Sequence, residues 1–349
     1  MDPGQRNMYG RAARWWTESM AVRDIAIIGA TGQQGGGLAR AILADDTGAF
    51  AVRAVTRHPG SERARHLRKL GAEVVEADLD DEQSLRAAFA GAYGAYVVTD
   101  FFADIAGQPP SPAEQGQARA ARELTQAANA ASTAHETGLR HVVWSTAEDT
   151  RVHFSQPGSH VPWTEGGYAT PHLDAKAEAN ALFTGLGVPV TFLQPVYYYE
   201  SLLRGMLARN ADGEPELLLP IAGSRLALIA AEDIGRIALA IFRHPEYIGR
   251  TVSVAGTHAS GEEIAAMISE AAGDKVHYHP LTWEQFRSLP FWSGVTAANA
   301  FQYFAETEQG FLARHDLAGS RQLNPAIQPL DAWLRAHRAE LLPERGRGS

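Results

Sequence analysis

Ile25-Ala26-Ile27-Ile28-Gly29-Ala30-Thr31-Gly32-Gln33-Gln34-Gly35 reads as a short apolar strand that turns on glycine into a helix. In such a turn one glycine permits the tight bend, another lets backbone amides approach a diphosphate, and a third allows the helix to pack closely on the strand. The helix N-terminus favours the negative charge. The spacing is G-x-x-G-x-x-G rather than G-x-G-x-x-G. A turn without a ligand would leave unexplained why Gly35, Gly36 and Gly37 crowd a helix start, where each interior glycine costs about 1 kcal/mol relative to alanine. The stretch therefore points to dinucleotide binding, with Gly29, Thr31, Gly32, Gln33, Gln34 and Gly35 as the cradle.

Outward from this turn, apolar runs alternate with helix-length segments. Strands are expected at Ile25–Ile28, Val52–Val55, Glu73–Val75, Ala95–Val98, His141–Trp144 and Val190–Leu193. Helices are expected at about Gly36–Leu43, Glu62–Leu70, Glu82–Phe89, Ala113–Ala134 and His172–Phe183. This βαβ rhythm predicts an α/β fold, a Rossmann-type doubly wound parallel sheet covered on both faces. After Gln194 the rhythm breaks at Tyr197-Tyr198-Tyr199, and a smaller, mostly C-terminal α+β lobe is expected, with a strand near Thr251–Val254 returning to the main sheet. The domains are thus a loose leader at 1–21, a cofactor domain at 22–194 and a smaller lobe at 195–349 with a soft boundary. Ala103–Pro112 and Glu148–Pro171 read as loops at carboxyl ends of strands.

A chain of 349 residues with 45% hydrophobic and 20% charged content is of ordinary globular composition. A net charge of −9 disfavours direct nucleic-acid binding. With no cysteine, disulfides, thiolate catalysis and thiolate metal sites are excluded, and redox chemistry needs a borrowed cofactor. No apolar run approaches the roughly 18 residues of a membrane span. The Trp15-Trp16 pair has no sustained amphipathic flank, and a cytoplasmic location without membrane contact is expected.

An NAD site usually places a carboxylate after the second strand to hold the ribose hydroxyls. Here Val55-Thr56-Arg57-His58-Pro59 carries none, and Arg57 stands where a 2′-phosphate would be, with Arg63 and Arg65 following. A guanidinium grips phosphate with two hydrogen bonds, so NADP (NADPH) is favoured over NAD. Arg65 reads better as a solvated helix residue. Asp78 and Leu79 end the third strand, where Asp78 either contacts adenine or caps the next helix. Thr99, Asp100 and Phe101 follow the fourth strand near the topological switch point, where ligands sit.

Taken together, the glycine loop, Val55-Thr-Arg-His-Pro, Gly71-Ala-Glu-Val-Val, Val97-Val-Thr-Asp-Phe, His172-Leu-Asp-Ala-Lys176 and Gly187-Val-Pro resemble the NmrA-like family, an atypical branch of the short-chain dehydrogenase/reductase superfamily. The likeness covers roughly residues 22 to 342 and is nearest to HSCARG-type NADPH sensors. It implies NADP(H) at the glycine loop and Arg57, with contacts from Thr99 to Phe101, Lys176, Tyr198, Tyr199, Glu200 and Ser201. Two positions depart from the sensor pattern: Ser61 and Glu114 stand where those members carry basic residues.

A short-chain reductase uses a tyrosine, a lysine four residues later and a serine after the fifth strand. Ser145 and Lys176 occupy suitable places, and Lys176 is one of three lysines in the chain. It serves a cofactor ribose or is a surface helix lysine. His172 holds the tyrosine position, as an acid near neutral pH or a helix cap. Tyr168 is separated from Lys176 by Pro171. No hydrolase elbow or zinc motif is present, and His277-Tyr-His279 alone is a weak metal signal, so no metal is expected. The sequence favours an NADP(H)-binding regulatory or redox-sensor protein, monomer or homodimer, whose cofactor state alters the loops offered to a partner protein. The alternative is an NADPH-dependent reductase of a small-molecule quinone, enone, imine or carbonyl.

Overall fold

Ile25–Ile28 are buried at the end of β1 (Arg23–Ile28), with Ile25 and Ile27 packing into one core and Ala26 and Ile28 into another across the sheet. The computed structural model describes residues 22–104, 111–164, 166–289 and 293–342. The expected leader at 1–21, with Trp15-Trp16, and most of the expected loop at 103–112 lie outside them. From β1 the chain runs through α1 (Gln33–Leu43), β2 (Phe50–Thr56), α2 (Glu62–Lys69), β3 (Glu73–Glu76), α3 (Glu82–Phe89) and β4 (Gly94–Val97). It continues with α4 (Pro112–Glu136), β5 (His141–Ser145), the single turn α5 (Arg151–Phe154), α6 (Pro171–Gly185) and β6 (Val190–Gln194).

Local chemistry sets these boundaries. Ser61 Oγ accepts from Ala64 N at the start of α2, and Asp81 accepts from Gln83 N at the start of α3. Ser111 and Glu114 form a reciprocal capping box ahead of Pro112 in α4. Both departures from the sensor pattern, Ser61 and Glu114, therefore sit in helix caps.

Beyond β6 come β7 (Tyr197–Tyr198), α7 (Tyr199–Leu202), β8 (Leu207–Arg209), β9 (Pro215–Leu219), β10 (Arg225–Ile229), α8 (Ala231–Arg243), β11 (Thr251–Ser253) and β12 (Thr257–Ser260). The last elements are α9 (Gly261–Ala272), β13 (His277–Pro280), α10 (Trp283–Arg287), α11 (Gly294–Glu306), α12 (Glu308–Arg314), α13 (Leu317–Leu323) and α14 (Leu330–Ala336). The main sheet has seven strands, all parallel, in the order β11-β6-β5-β4-β1-β2-β3. This is the Rossmann-like doubly wound arrangement. Two three-stranded sheets, β12-β10-β7 and β13-β9-β8, build the smaller lobe around a core that includes Leu217, Leu228, Phe286 and Phe301. β11 does return to the main sheet, pairing Thr251 to Ser253 with Phe192 to Gln194. Among the described residues no helix is long and apolar enough to cross a membrane.

α8 lies directly on α1. A Cβ on Gly235 would come within 2.1 Å of Leu38 N, and one on Gly37 within 2.9 Å of Glu232 Cα. Gly37 is thus required by helix packing rather than by the turn. Beside this contact the fully buried Asp233 accepts from Asn324 Nδ2 at 2.9 Å, Gln328 N at 2.8 Å and Arg236 Nη1 at 2.8 Å, which pins the C-terminal segment. Gly235→Ala would force α1 and α8 apart and is expected to lower unfolding free energy by about 1–3 kcal/mol or more. Urea denaturation measures this, and an unchanged midpoint would contradict so close a contact.

Candidate functional site

Gly29 takes a positive φ of +67° at the end of β1, and a Cβ on Gly35 would lie only 2.5 Å from the Gly29 carbonyl oxygen. That approach sets the first turn of α1 over the strand tip. Gly32 is the N-cap with no side-chain cap, and the first turn holds no acidic residue. The uncapped amides of an eleven-residue helix and the positive end of its dipole suit a diphosphate.

This turn lines a cavity of about 1100 Å³ that crosses the carboxyl ends of the main-sheet strands and continues into the smaller lobe. Gly29, Thr31, Gly32, Gln33, Gln34 and Gly35 all line it, as do Arg57, Asp78, Leu79, Thr99, Asp100 and Phe101. Arg57 is exposed at the rim. Arg63 donates to Thr31 O at 3.1 Å and so braces the glycine loop, whereas Arg65 donates to Gly60 O within its own turn. Of the two readings of Asp78, the cap is excluded: Asp81 performs it, while Asp78 Oδ1 accepts from Asp80 N at 3.1 Å.

At the centre of the cavity wall the Gln34 side chain gathers three hydroxyls. Its Oε1 accepts from Ser145 Oγ at 2.8 Å and from Tyr96 OH, and its Nε2 donates to Tyr198 OH. Burial pushes the Tyr96 and Tyr198 phenols well above their ordinary range, so both keep their protons. Lys176, on α6, donates to Thr99 Oγ1 at 2.5 Å and to Glu123. His172 Nδ1 lies 2.8 Å from Thr296 Oγ1, and its ring packs on Phe101 and Phe102 at 5.9 and 5.4 Å. Desolvation in this wall and the nearby Lys176 push the imidazole down to about 3, so it is neutral near pH 7 and supplies no acid there. Nor does it cap α6, whose N-cap is Thr170. Instead Asp174 reaches back to Thr170 N at 2.7 Å and Thr150 N at 2.9 Å, tying the loop before α6 to the helix.

Ser145, His172 and Lys176 therefore share one cavity. Of the tyrosine run, Tyr197 and Tyr198 line it along with Ser201, but Tyr199 and Glu200 do not. Tyr199 is fully buried, its hydroxyl 2.8 Å from Thr257 Oγ1 and 3.1 Å from Gln328 O, and Glu200 accepts from Ala231 N at 3.1 Å. Tyr168 turns away toward Glu178, 3.4 Å from its hydroxyl. Among the described residues no group of three or more His, Cys, Asp or Glu side chains is placed to hold a metal ion.

Sequence reasoning missed the far end of the cavity. Leu218, Phe286, Phe301, Phe304 and Phe311 form an apolar chamber there, and Met206 lines the same cavity. Glu148 closes one side, accepting from Tyr303 OH at 2.6 Å and from Arg314 at 2.7 and 2.9 Å; these partners hold its carboxyl below the usual range despite burial. The phenylalanine spacing in α11 looks like an ordinary core face, so no signal in the chain distinguished it.

His172 and the buried core His141, pushed down to about 4 by desolvation, both bind protons more weakly folded than unfolded. Stability is therefore full above the unfolded value of about 6.5 and falls as pH drops toward 4. His172→Gln should flatten that acid-side loss in urea midpoints measured from pH 8 to 4. An unchanged slope would contradict a neutral His172.

Residues 22–334 match the NmrA-like family. The NmrA-like family domain-containing oxidoreductase notA of Aspergillus sp. (strain MF297-2) is 32% identical over 283 residues, spanning 75% of this chain and 77% of its own. The oxidoreductase FrzB of Cladobotryum sp, of the same description, is 29% identical over 280 residues, spanning 75% and 78%. The crystal structure of NmrA, a negative transcriptional regulator, matches with a TM-score of 0.71 at 19% identity, over 90% of this chain and 95% of that one. NmrA has also been solved in complex with NAD and with NADP. By the match of its family-wide pattern over most of its length, the chain belongs to the NmrA-like family.

Proposed function

We propose that the protein is an NADP(H)-dependent oxidoreductase that reduces an apolar, ring-bearing small molecule held in the chamber of the smaller lobe. The observation that carries this reading is the continuity of one cavity from the glycine turn through Lys176 and Ser145 to Phe286, Phe301 and Phe304. A pocket that only senses a dinucleotide has no use for an aromatic chamber beyond it.

The residues fit the cofactor. The uncapped start of α1 suits the diphosphate, Arg57 the 2′-phosphate, Asp78 and Leu79 the adenine side, Thr99 to Phe101 the middle and Lys176 a ribose. NADP is favoured over NAD because the tip of β2 offers a guanidinium and no carboxylate. When bound, the cofactor supplies a hydride. The apolar chamber excludes water and orients the acceptor by its ring faces. With His172 neutral, two hydroxyls of the cavity wall are anchored on Gln34: Ser145 donates to its Oε1, and Tyr198 accepts from its Nε2, which leaves the phenol's own hydrogen for a ligand. Tyr198 is thus placed to orient a polar group of the acceptor by donating a hydrogen bond to it.

Fungal relatives named as oxidoreductases support this reading. The regulatory reading shares the cofactor and is favoured by one contact, the tilted packing of Phe101 and Phe102 against His172, which joins the loop after β4 to α6. Loss of NADPH absorbance on addition of a panel of aromatic quinones, enones and imines separates the two, and no turnover with any acceptor would favour regulation. Phe301→Ala should raise the acceptor KM about ten-fold or more by removing a chamber wall, leaving NADPH affinity unchanged. Arg57→Ala should weaken NADPH binding about ten- to a hundred-fold in calorimetry with little change for NADH. Equal losses for both nucleotides would remove Arg57 from the 2′-phosphate.

A further inference from the structure

Glu123 lies on α4 behind the cavity wall, outside the cavity itself, and is only 2% exposed. A carboxylate taken so far from water is tolerated where a cation and hydrogen-bond donors compensate it. The compensation here is narrow. Oε1 accepts from the Lys176 ammonium and the Thr99 hydroxyl, while Oε2 is buried without a hydrogen-bond partner. Lys176 Nζ in turn donates to Thr99 Oγ1 at 2.5 Å and to Thr99 O at 3.2 Å, and lies 5.4 Å from the centre of the fully buried Trp144 ring.

An ammonium has three donors, and Glu123 with the two Thr99 oxygens takes all three. To reach a ribose hydroxyl, Nζ must give up a Thr99 bond while something keeps it in place. The ion pair is the contact suited to that task, because charge-assisted bonds are the stronger ones and Glu123, packed in α4, has nowhere else to turn. Thr99 is common to both partners, so the strand tip after β4, α4 and α6 meet at one point.

We propose that Glu123 is the positioning residue for Lys176, fixing the ammonium in the wall between β4 and α6 as a stationary hydrogen-bond donor to the cofactor ribose. The inference rests on the NADP(H)-binding part of the function proposed above. A corollary concerns Lys176→Met: it strands a buried carboxylate, so lost activity in that variant mixes lost cofactor contact with lost stability.

The test uses the full-length protein and NADPH as the probe. Glu123→Gln keeps the side chain's size and removes its charge. It is expected to weaken NADPH binding about ten-fold and to raise the NADPH KM while the acceptor KM holds, with Glu123→Asp recovering part of the loss. If the parent protein binds NADPH and Glu123→Gln binds it equally tightly, the proposal is overturned. If the parent binds neither nucleotide, the cofactor reading falls instead. A cycle of Lys176→Met, Glu123→Gln and the double variant, followed by urea unfolding without nucleotide, tests the pair independently of binding. The double variant should be more stable than Lys176→Met alone, a comparison that holds even where Glu123→Gln alone does not fold; a double variant no more stable than Lys176→Met would overturn the pairing.

Discussion

The carbonyl oxygen of Gly29 occupies the place that a side chain at position 35 would need. Everything about the site follows from that approach. With no Cβ at 35, α1 begins directly over the tip of β1, its first amides face the cavity, and Gln34 on the same turn is carried into the centre of the wall. Opposite, Gly37 and Gly235 let α8 press on α1 from the other side. A helix held this closely on both sides has little freedom to tilt, so the position of the cradle is set by packing rather than by a bound ligand.

Gln34 then does what a backbone turn alone cannot. One amide joins Ser145 from β5, Tyr96 from β4 and Tyr198 from β7, three elements that are far apart in the chain. A buried amide with both ends satisfied is stable and directional. The second polar knot, Lys176 with Thr99 and Glu123, sits on the neighbouring strand end. Between the two, the neutral ring of His172 belongs to the aromatic surface of Phe101 and Phe102 rather than to proton transfer. In place of the tyrosine and lysine on one helix, the chain presents hydroxyls from its sheets and a lysine tied down from α4.

The smaller lobe completes the cavity. Its helices α10, α11 and α12 bring phenylalanines to the far end of the same cavity, and Glu148, Tyr303 and Arg314 seal one side with a charge-balanced cluster. A small molecule in this cavity would meet ring faces on one side and the two polar knots on the other. That division of labour, apolar grip and polar orientation, is the usual build of a selective small-molecule site.

The amino-acid sequence determined the parallel sheet, its first six strands and the cradle, because these depend on local terms: short, nearly continuous apolar runs, helix caps, and glycines spaced for one turn. It also singled out Arg57, Ser145, His172 and Lys176, whose places follow from the order of strand ends. What it could not determine was direction. Tyr198 and Tyr199 are adjacent, yet one faces the cavity and the other the core, because β7 alternates into α7 between two packed surfaces. Glu123 looked like any charge on a long helix, and Phe301 like any core residue. Only the folded chain decided that the first meets a lysine 53 residues away and the second opens onto the site, since both depend on which distant surfaces pack together.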